Sequence, residues 1–489
     1  MKQLFKTVLF AIGLLLTKGS YGQHVPNWQN KDLQKDSLFG ISTEKAYTLL
    51  QGKKARPVIV AVIDAGVDTL HEDLKSILWI NPKKKKNDNG TYGWSFIGSA
   101  KGNVQYDNLE LTRQVRQFEA GDTSRLSIND LTAYHTQKAL LTRQLATAKN
   151  NLRNYSDYLR VIGELESAIK TNFNLADIKA YPPKNLAEQK VARTLLNVLA
   201  DNDDLAAFKK QLSEGITRFE AEIDYQLNTA YDPRPLYVGD DYFNSKQVIY
   251  GSPDCMGPDA HHGTHVAGII AGLRGNGLGA DGIADNVRVL AVRAVPDGDE
   301  RDKDIANAIR YAADHGAKVI NMSFGKDYNQ DKTAVDDAVK YAIKKDVLLI
   351  QAAGNDDKNI DSSAHFPNPS YLSGGKAAAY IVVGASGLKG EKAGFSNYGK
   401  NEVDVFAPGV QIYSSIPGSK YDYFNGTSMA APVVAGLAAL IREYYPKLSA
   451  IQVKNIILKS VIKSEALTNY CATGGIVNAY NALQMAAGL

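Results

Sequence analysis

The chain has 489 residues, of which 44% are apolar and 22% charged, with a formal net charge of +4. Such a composition describes an ordinary globular protein with enough apolar material for a large core and more than one domain. So small a charge excludes nucleic acid as an implied partner. Two cysteines, Cys255 and Cys471, are too few for a disulfide framework. One bridge or two thiols would fit, and nothing in the sequence brings the pair together, which favours thiols.

The first residues, "MKQLFKTVLFAIGLLLTKGSYGQ", join a basic start, an apolar run from Val8 to Leu16 and small residues near Gly22. This is the pattern of a secretory signal over residues 1–22, cleaved after Gly22. The run is short for a bilayer crossing. No cysteine follows it to take a lipid, and no later segment reads as membrane-spanning. The mature protein is therefore expected to be exported, to the periplasm or the medium.

From Arg56, "RPVIVAVIDAGVD" is a β-branched run ending in a turn, as a fully buried parallel strand requires. The basic run Lys83 to Lys86 is followed by "NDNG" and reads as a solvated loop. Between residues 101 and 231 strand signals stop. Leu131, Leu140, Leu141, Leu145, Leu152 and Leu159 recur at near-helical intervals there, and acidic and basic residues balance. An all-helical insertion is predicted, dividing a main domain into 23–100 and 232–489. Beyond it, "VRVLAVRAV", "AKVINMSFG", "VLLIQAAGN" and "AAYIVVGAS" read as strands, the first three separated by helical patterns. The alternation predicts an α/β fold with a doubly wound, mostly parallel sheet. Ligands in such sheets bind beyond the carboxyl ends of the strands. Asp64, Ser323 and Asn355 stand at those ends.

The stretch "YDYFNGTSMAAPVVAGLAAL" sets Ser428 after the turn Asn425-Gly426-Thr427 and before Met429, Val433, Leu437 and Leu440 at helical spacing. The hydroxyl falls at the first turn of a buried helix, with Pro432 read as part of that turn, where a missing N–H costs nothing. On this stretch alone, a helix N-cap explains Ser428 as well as a nucleophile does. A nucleophile needs a base, and the base needs a group to orient it. In "DAHHGTHVAGIIAGL", His262 opens a helix whose Ala267, Gly268 and Ala271 permit close packing, while His265 lies one turn further in. Asp64 follows four apolar residues and precedes a glycine turn, which suits a buried orienting acid as well as a plain turn. The side-chain amide of Asn355 and the N–H of Ser428 would serve a developing oxyanion.

Together these segments resemble the subtilisin-like serine peptidases. "VIDAGVD", "HGTHVAGI" and "GTSMAAPVVAG" are similar to the family's aspartate, histidine and serine motifs, "AAGN" to its oxyanion segment and "INMSFG" to its substrate-pairing strand. The chain order Asp, His, Ser is the one subtilisin uses. The resemblance covers roughly 41–100 and 235–489. It implies Ser428 as nucleophile, His262 rather than His265 as base, Asp64 as its orienting group and Asn355 as oxyanion donor. It also implies substrate contacts from Ser323, Phe324 and Gly325 on one wall of a pocket and Ala352, Ala353 and Gly354 on the other, with His365 aligned near its base.

Three departures accompany it. Ala65 stands where the family usually has Ser or Thr. Only about 40 residues separate the predicted cleavage point from Asp64, too few for the inhibitory propeptide domain of many relatives. And His262 follows Asp64 at a separation of 198, far more than usual, because of the insertion. The function implied is exported serine endopeptidase activity on peptide or protein substrates, with no cofactor required. Relatives often bind structural calcium, but no acidic loop here assigns it. The sequence leaves open the oligomeric state and two alternatives, a catalytically weak binding scaffold and a transpeptidase or cyclase sharing the acyl-enzyme.

Overall fold

The computed structural model describes residues 25–83, 92–121, 127–200 and 204–489. The predicted signal and Lys84 to Lys86 lie outside them. The strands used below are β1 (Val58–Asp64), β2 (Gly93–Ser95), β3 (Val287–Arg293), β4 (Val319–Met322), β5 (Leu348–Ala352), β6 (Tyr380–Ser386), β7 (Val405–Pro408), β8 (Ile412–Ile416), β9 (Lys420–Phe424), β10 (Ile462–Lys463) and β11 (Gly475–Ile476). The longer helices are α1 (Glu110–Ala120), α2 (Ile128–Ala168), α3 (Leu186–Ala200), α4 (Leu205–Ala221), α5 (His261–Ala271), α6 (Asp302–Asp314), α7 (Lys332–Lys344), α8 (Thr427–Tyr444), α9 (Ala450–Lys459) and α10 (Ala479–Ala487). No helix among the described residues is long and apolar enough to cross a membrane.

The chain forms two compact units, one containing 111–231 and the other 22–110 with 232–489. In the second, nine strands make one sheet in the order β10-β11-β7-β6-β5-β4-β1-β3-β2, parallel throughout except between β10 and β11. Alternation along β1 explains the layers. Val58, Val60 and Val62 face the core filled by α5 and α8, while Ala61 and Ile63 face the core filled by α6 and α7. Both faces are covered, so the strand reads as a continuous apolar run. From β1 the chain builds outward to β3 on one side and to β4, β5 and β6 on the other. The carboxyl ends of β1 and β4 therefore flank the point where strand order reverses, the place such sheets reserve for ligands.

Helix α8 is almost wholly buried and crosses beneath the sheet with α5. Small residues permit it. A Cβ on Gly436 would lie 2.6 Å from Ile283 Cβ and 3.2 Å from the Ile270 carbonyl, so only glycine lets these backbones approach.

Buried charge holds the segments on either side of the helical unit to the larger one. Arg234 donates to Asp304 at 2.6 and 2.7 Å and to Asp240 at 2.6 Å. Arg301 donates to Asp107 at 2.7 and 2.9 Å, and Lys326 to Glu110 at 2.9 Å. Removing one partner from a buried pair costs about 3–5 kcal/mol, so these pairs fix where residues 107–110 and 232–240 sit. Residues 101–110 belong with this unit, because Val104 packs with Ile97 and Val238.

In the helical unit, α2 runs for 41 residues from an N-cap at Ser127, whose hydroxyl accepts the Asp130 N–H. Its core comes from Tyr155, Tyr158, Val161, Ile162 and Leu165 against Val191, Leu195, Phe208 and Leu212. The leucine stripe read from the sequence is buried only at Leu141. Helices α3 and α4, with 15 and 17 residues, are too short to cover a partner of 41, and they pack on its C-terminal half. Cys255 and Cys471 are both buried free thiols.

Gly436→Ala is expected to lower the unfolding free energy by about 1–3 kcal/mol through overpacking. Gly163→Ala, in α2 with nothing within 4 Å of an added Cβ, is expected to gain about 0.5–1 kcal/mol instead. Chemical denaturation of the two variants checks the contrast.

Candidate active site

Asp64 closes β1 beside Arg293 of β3. Its side chain is 3% exposed, and Oδ1 accepts the Ala65 N–H at 2.8 Å and meets His262 Nδ1 at 2.7 Å. An ionised carboxylate only accepts, so Nδ1 carries the proton and Nε2 is left as the basic nitrogen. Burial disfavours the charged imidazole, but the charge of Asp64, its hydrogen bond and the charge of Asp259 outweigh it, and the pKa of His262 is raised above the ordinary value.

The approach of α5 to the end of β1 depends on Gly263. A Cβ there would sit 2.2 Å from the Gly66 carbonyl and 3.0 Å from Asp64 Cβ. Asp64 Oδ2 is buried without a hydrogen-bond partner. Ala65 has no hydroxyl to offer it, which gives the sequence departure a structural counterpart. Behind this turn lies Arg293, whose guanidinium donates to the Ala65 carbonyl at 2.8 Å, to the carbonyls of Ile97 and Val104, and to Ser95 Oγ. Burial pushes its pKa down to about 10, so it is a cation at neutral pH. Strand periodicity marks it only as a residue facing one layer, and sequence reading missed it.

His265 is placed quite differently. It stacks on Phe424 at 4.2 Å, its Nε2 lies 3.1 Å from the Asp422 carbonyl, and Ser414 donates to its backbone oxygen. It fastens α5 to the β8–β9 hairpin. Burial drives its pKa down to about 3.

Ser428 is the second residue of α8. Its Oγ donates to the Ser323 carbonyl at 3.1 Å, and Ser323 Oγ donates back to the Ser428 carbonyl at 2.8 Å. The N-cap of α8 is Gly426, with no side-chain cap, so Ser428 does not cap the helix. Pro432 is in the helix interior rather than the first turn. Its missing N–H is the one that would have bonded the Ser428 carbonyl four residues back. That freed carbonyl is the acceptor Ser323 uses.

Asn355 Oδ1 accepts both the N–H and the hydroxyl of Thr427 at 2.9 Å. The backbone N–H can only donate, so this contact fixes the amide orientation and turns Nδ2 the other way. A Cβ on Gly426 would lie 3.5 Å from Ser428 N and 3.7 Å from Asn355 Nδ2. Glycine thus keeps open the space that two N–H donors share. Along the other side, Asp64, Ala65, His262, Arg293 and Ser323 contribute to a cavity of about 250 Å³.

Ser323 leads out of β4 and is followed by Phe324 and Gly325, while Ala352 ends β5 and Ala353 and Gly354 lead on to Asn355. His365 stands between the two segments, its Nε2 3.2 Å from the Ala352 carbonyl. The structure therefore gathers the residues singled out from the sequence at the carboxyl ends of β1, β4 and β5 and at the starts of α5 and α8.

The model of the subtilase family matches residues 55–480. The thermophilic serine proteinase of Bacillus sp. (strain AK1) is 44% identical over 224 residues, 46% of this chain and 52% of that protein. Subtilisin BL of Lederbergia lenta is 37% identical over 219 residues, 45% of this chain and 76% of its own. The match thus spans about half the length of the first relative. A solved protease structure from Pseudoalteromonas arctica shares the fold, with a TM-score of 0.52 at 21% identity over 94% of this chain and 99% of that one.

The folded pKa of His265 lies below the ordinary histidine value, so its stabilising contribution is complete above roughly pH 6.5 and is lost as pH falls towards its folded value of about 3. His265→Phe should flatten the loss of stability across that window, read from urea midpoints at successive pH values. An unchanged slope would mean that His265 does not titrate with unfolding.

Proposed function

Because the chain belongs to the subtilase family, we propose that it is an exported serine endopeptidase that works through Asp64, His262 and Ser428. The observation that carries this reading is the 2.7 Å bond from Asp64 to His262 Nδ1, in a site that also holds the start of α8. In the proposed reaction the Ser428 hydroxyl rotates away from the Ser323 carbonyl and attacks the scissile carbonyl. His262 Nε2 takes its proton, and Asp64 stabilises the imidazolium. The oxyanion is met by Asn355 Nδ2 and the Ser428 N–H. His262 then protonates the leaving amine, a water gives its proton to His262 and attacks the acyl-enzyme, and Ser428 is released with its hydrogen restored. All of this draws on side chains, backbone and that water.

An extended peptide or protein substrate would pair with the backbone after β4, in the manner of an added strand. Export rests on the signal pattern in residues 1–22. Cleavage products identified by mass spectrometry, with water rather than an amine as acyl acceptor, distinguish hydrolysis from transpeptidation.

Ser428→Ala is expected to lower turnover by roughly 10⁶-fold, the scale seen when subtilisin loses its nucleophile, and to abolish fluorophosphonate labelling without altering circular dichroism. Asn355→Leu should lower turnover by about 10²–10³-fold with little change in KM, the scale of the corresponding subtilisin substitution. The base must be neutral to act and its pKa is raised, so kcat/KM should fall on the acid side with a midpoint above the ordinary histidine value. Equal labelling of Ser428→Ala would contradict the assignment.

A further inference from the structure

Resting on the peptidase reading, we infer that His365 plugs the pocket for the residue before the scissile bond and restricts it to small side chains such as Ala and Ser. The pocket walls are the backbone segments 323–325 and 352–354, and a large substrate side chain needs the space between their glycines. That space is taken. A Cβ built on Gly325 would lie 2.3 Å from His365 Cε1, and one built on Gly354 would lie 3.3 Å from the same atom. One ring carbon therefore touches both walls at once.

The backbone that carries the ring is held there by several bonds. The Lys326 N–H donates to the Phe366 carbonyl at 2.9 Å, and the Phe366 N–H returns a bond to the Lys326 carbonyl at 2.8 Å. Asn368 Nδ2 donates to the His365 carbonyl at 2.9 Å. Lys326 is itself anchored by its buried ammonium, which reaches Glu110 at 2.9 Å and Asp302 at 2.8 Å. A substrate that pushed His365 aside would have to disturb this bridge. Nε2 lies 3.2 Å from the Ala352 carbonyl, and burial lowers the ring's pKa, so the plug is a neutral imidazole. It offers no charge to attract an acidic side chain.

Behind the ring lies unused room. His365 also lines a cavity of about 200 Å³ whose other walls include Gln351, Asn368 and Val382. Truncating the imidazole would join that cavity to the pocket, and the combined space would admit an aromatic ring.

The test uses the full mature chain and chromogenic peptides differing only in the residue before the scissile bond: Ala, Ser, Leu or Phe. Wild type is expected to favour Ala over Phe by about tenfold or more in kcat/KM, the range one pocket's fit supplies. His365→Ala should shift that ratio at least tenfold towards Phe, mainly through gain on the Phe peptide. His365→Ser is the second variant should the first fold poorly, and the wild-type preference alone is decisive in one direction. Cleavage by wild type with a preference for Phe or Leu overturns this inference and leaves the peptidase reading standing. An unchanged ratio in a folded variant overturns it too. If wild type cleaves none of the peptides and no protein substrate, the peptidase reading falls and this inference with it.

Discussion

The bond between Asp64 and His262 Nδ1 ties the end of a buried strand to the start of a helix, and the site's chemistry follows from that tie. Asp64 is placed by the register of β1 against β3, and His262 by the first turn of α5. Neither element meets the other unless Gly263 lets their backbones close. A carboxylate in this position selects the imidazole tautomer, leaves Nε2 basic and raises the pKa of the ring. Asp64 Oδ2 stays buried without a hydrogen bond, and the guanidinium of Arg293 lies behind it against the Ala65 carbonyl.

A second coupling links the starts of two other segments. Pro432 removes one helical N–H, the Ser428 carbonyl is freed, and Ser323 bonds it while receiving the Ser428 hydroxyl. The end of β4 and the start of α8 thus hold each other through one proline and two serines. In the proposed reaction, the segment that pairs with substrate also positions the residue that attacks it. Thr427 extends the arrangement, because its two donors fix the side-chain orientation of Asn355.

Much of this was legible in the sequence, and the remainder was hidden for physical reasons. β-branched runs ending in polar residues gave the strand order its raw material and placed Asp64, Ser323 and Asn355 at strand ends. The motif "HGTH" separates His262 from His265, and the structure gives the two histidines different surroundings. Pro432 was misplaced because it is the sixth residue of a helix that begins at Thr427, past the four N–H groups that lack an intrahelical partner. Arg293 was missed because a buried arginine bonded to carbonyls leaves no pattern in one sequence. The leucines of α2 were read as one stripe, yet burial followed the lengths of α3 and α4, which no local periodicity encodes. The place of His365 depends on a bridge between Lys326 and Phe366, forty residues apart in sequence.

The most direct test of the central claim is ¹⁵N NMR of the histidine rings in the folded protein across pH. The account predicts that His262 at neutral pH carries its proton on Nδ1, with Nε2 unprotonated, and that Nε2 titrates above the ordinary histidine value. A His262 ring with Nδ1 unprotonated at neutral pH, or one that titrates as a free imidazole and ignores Asp64→Asn, would contradict it.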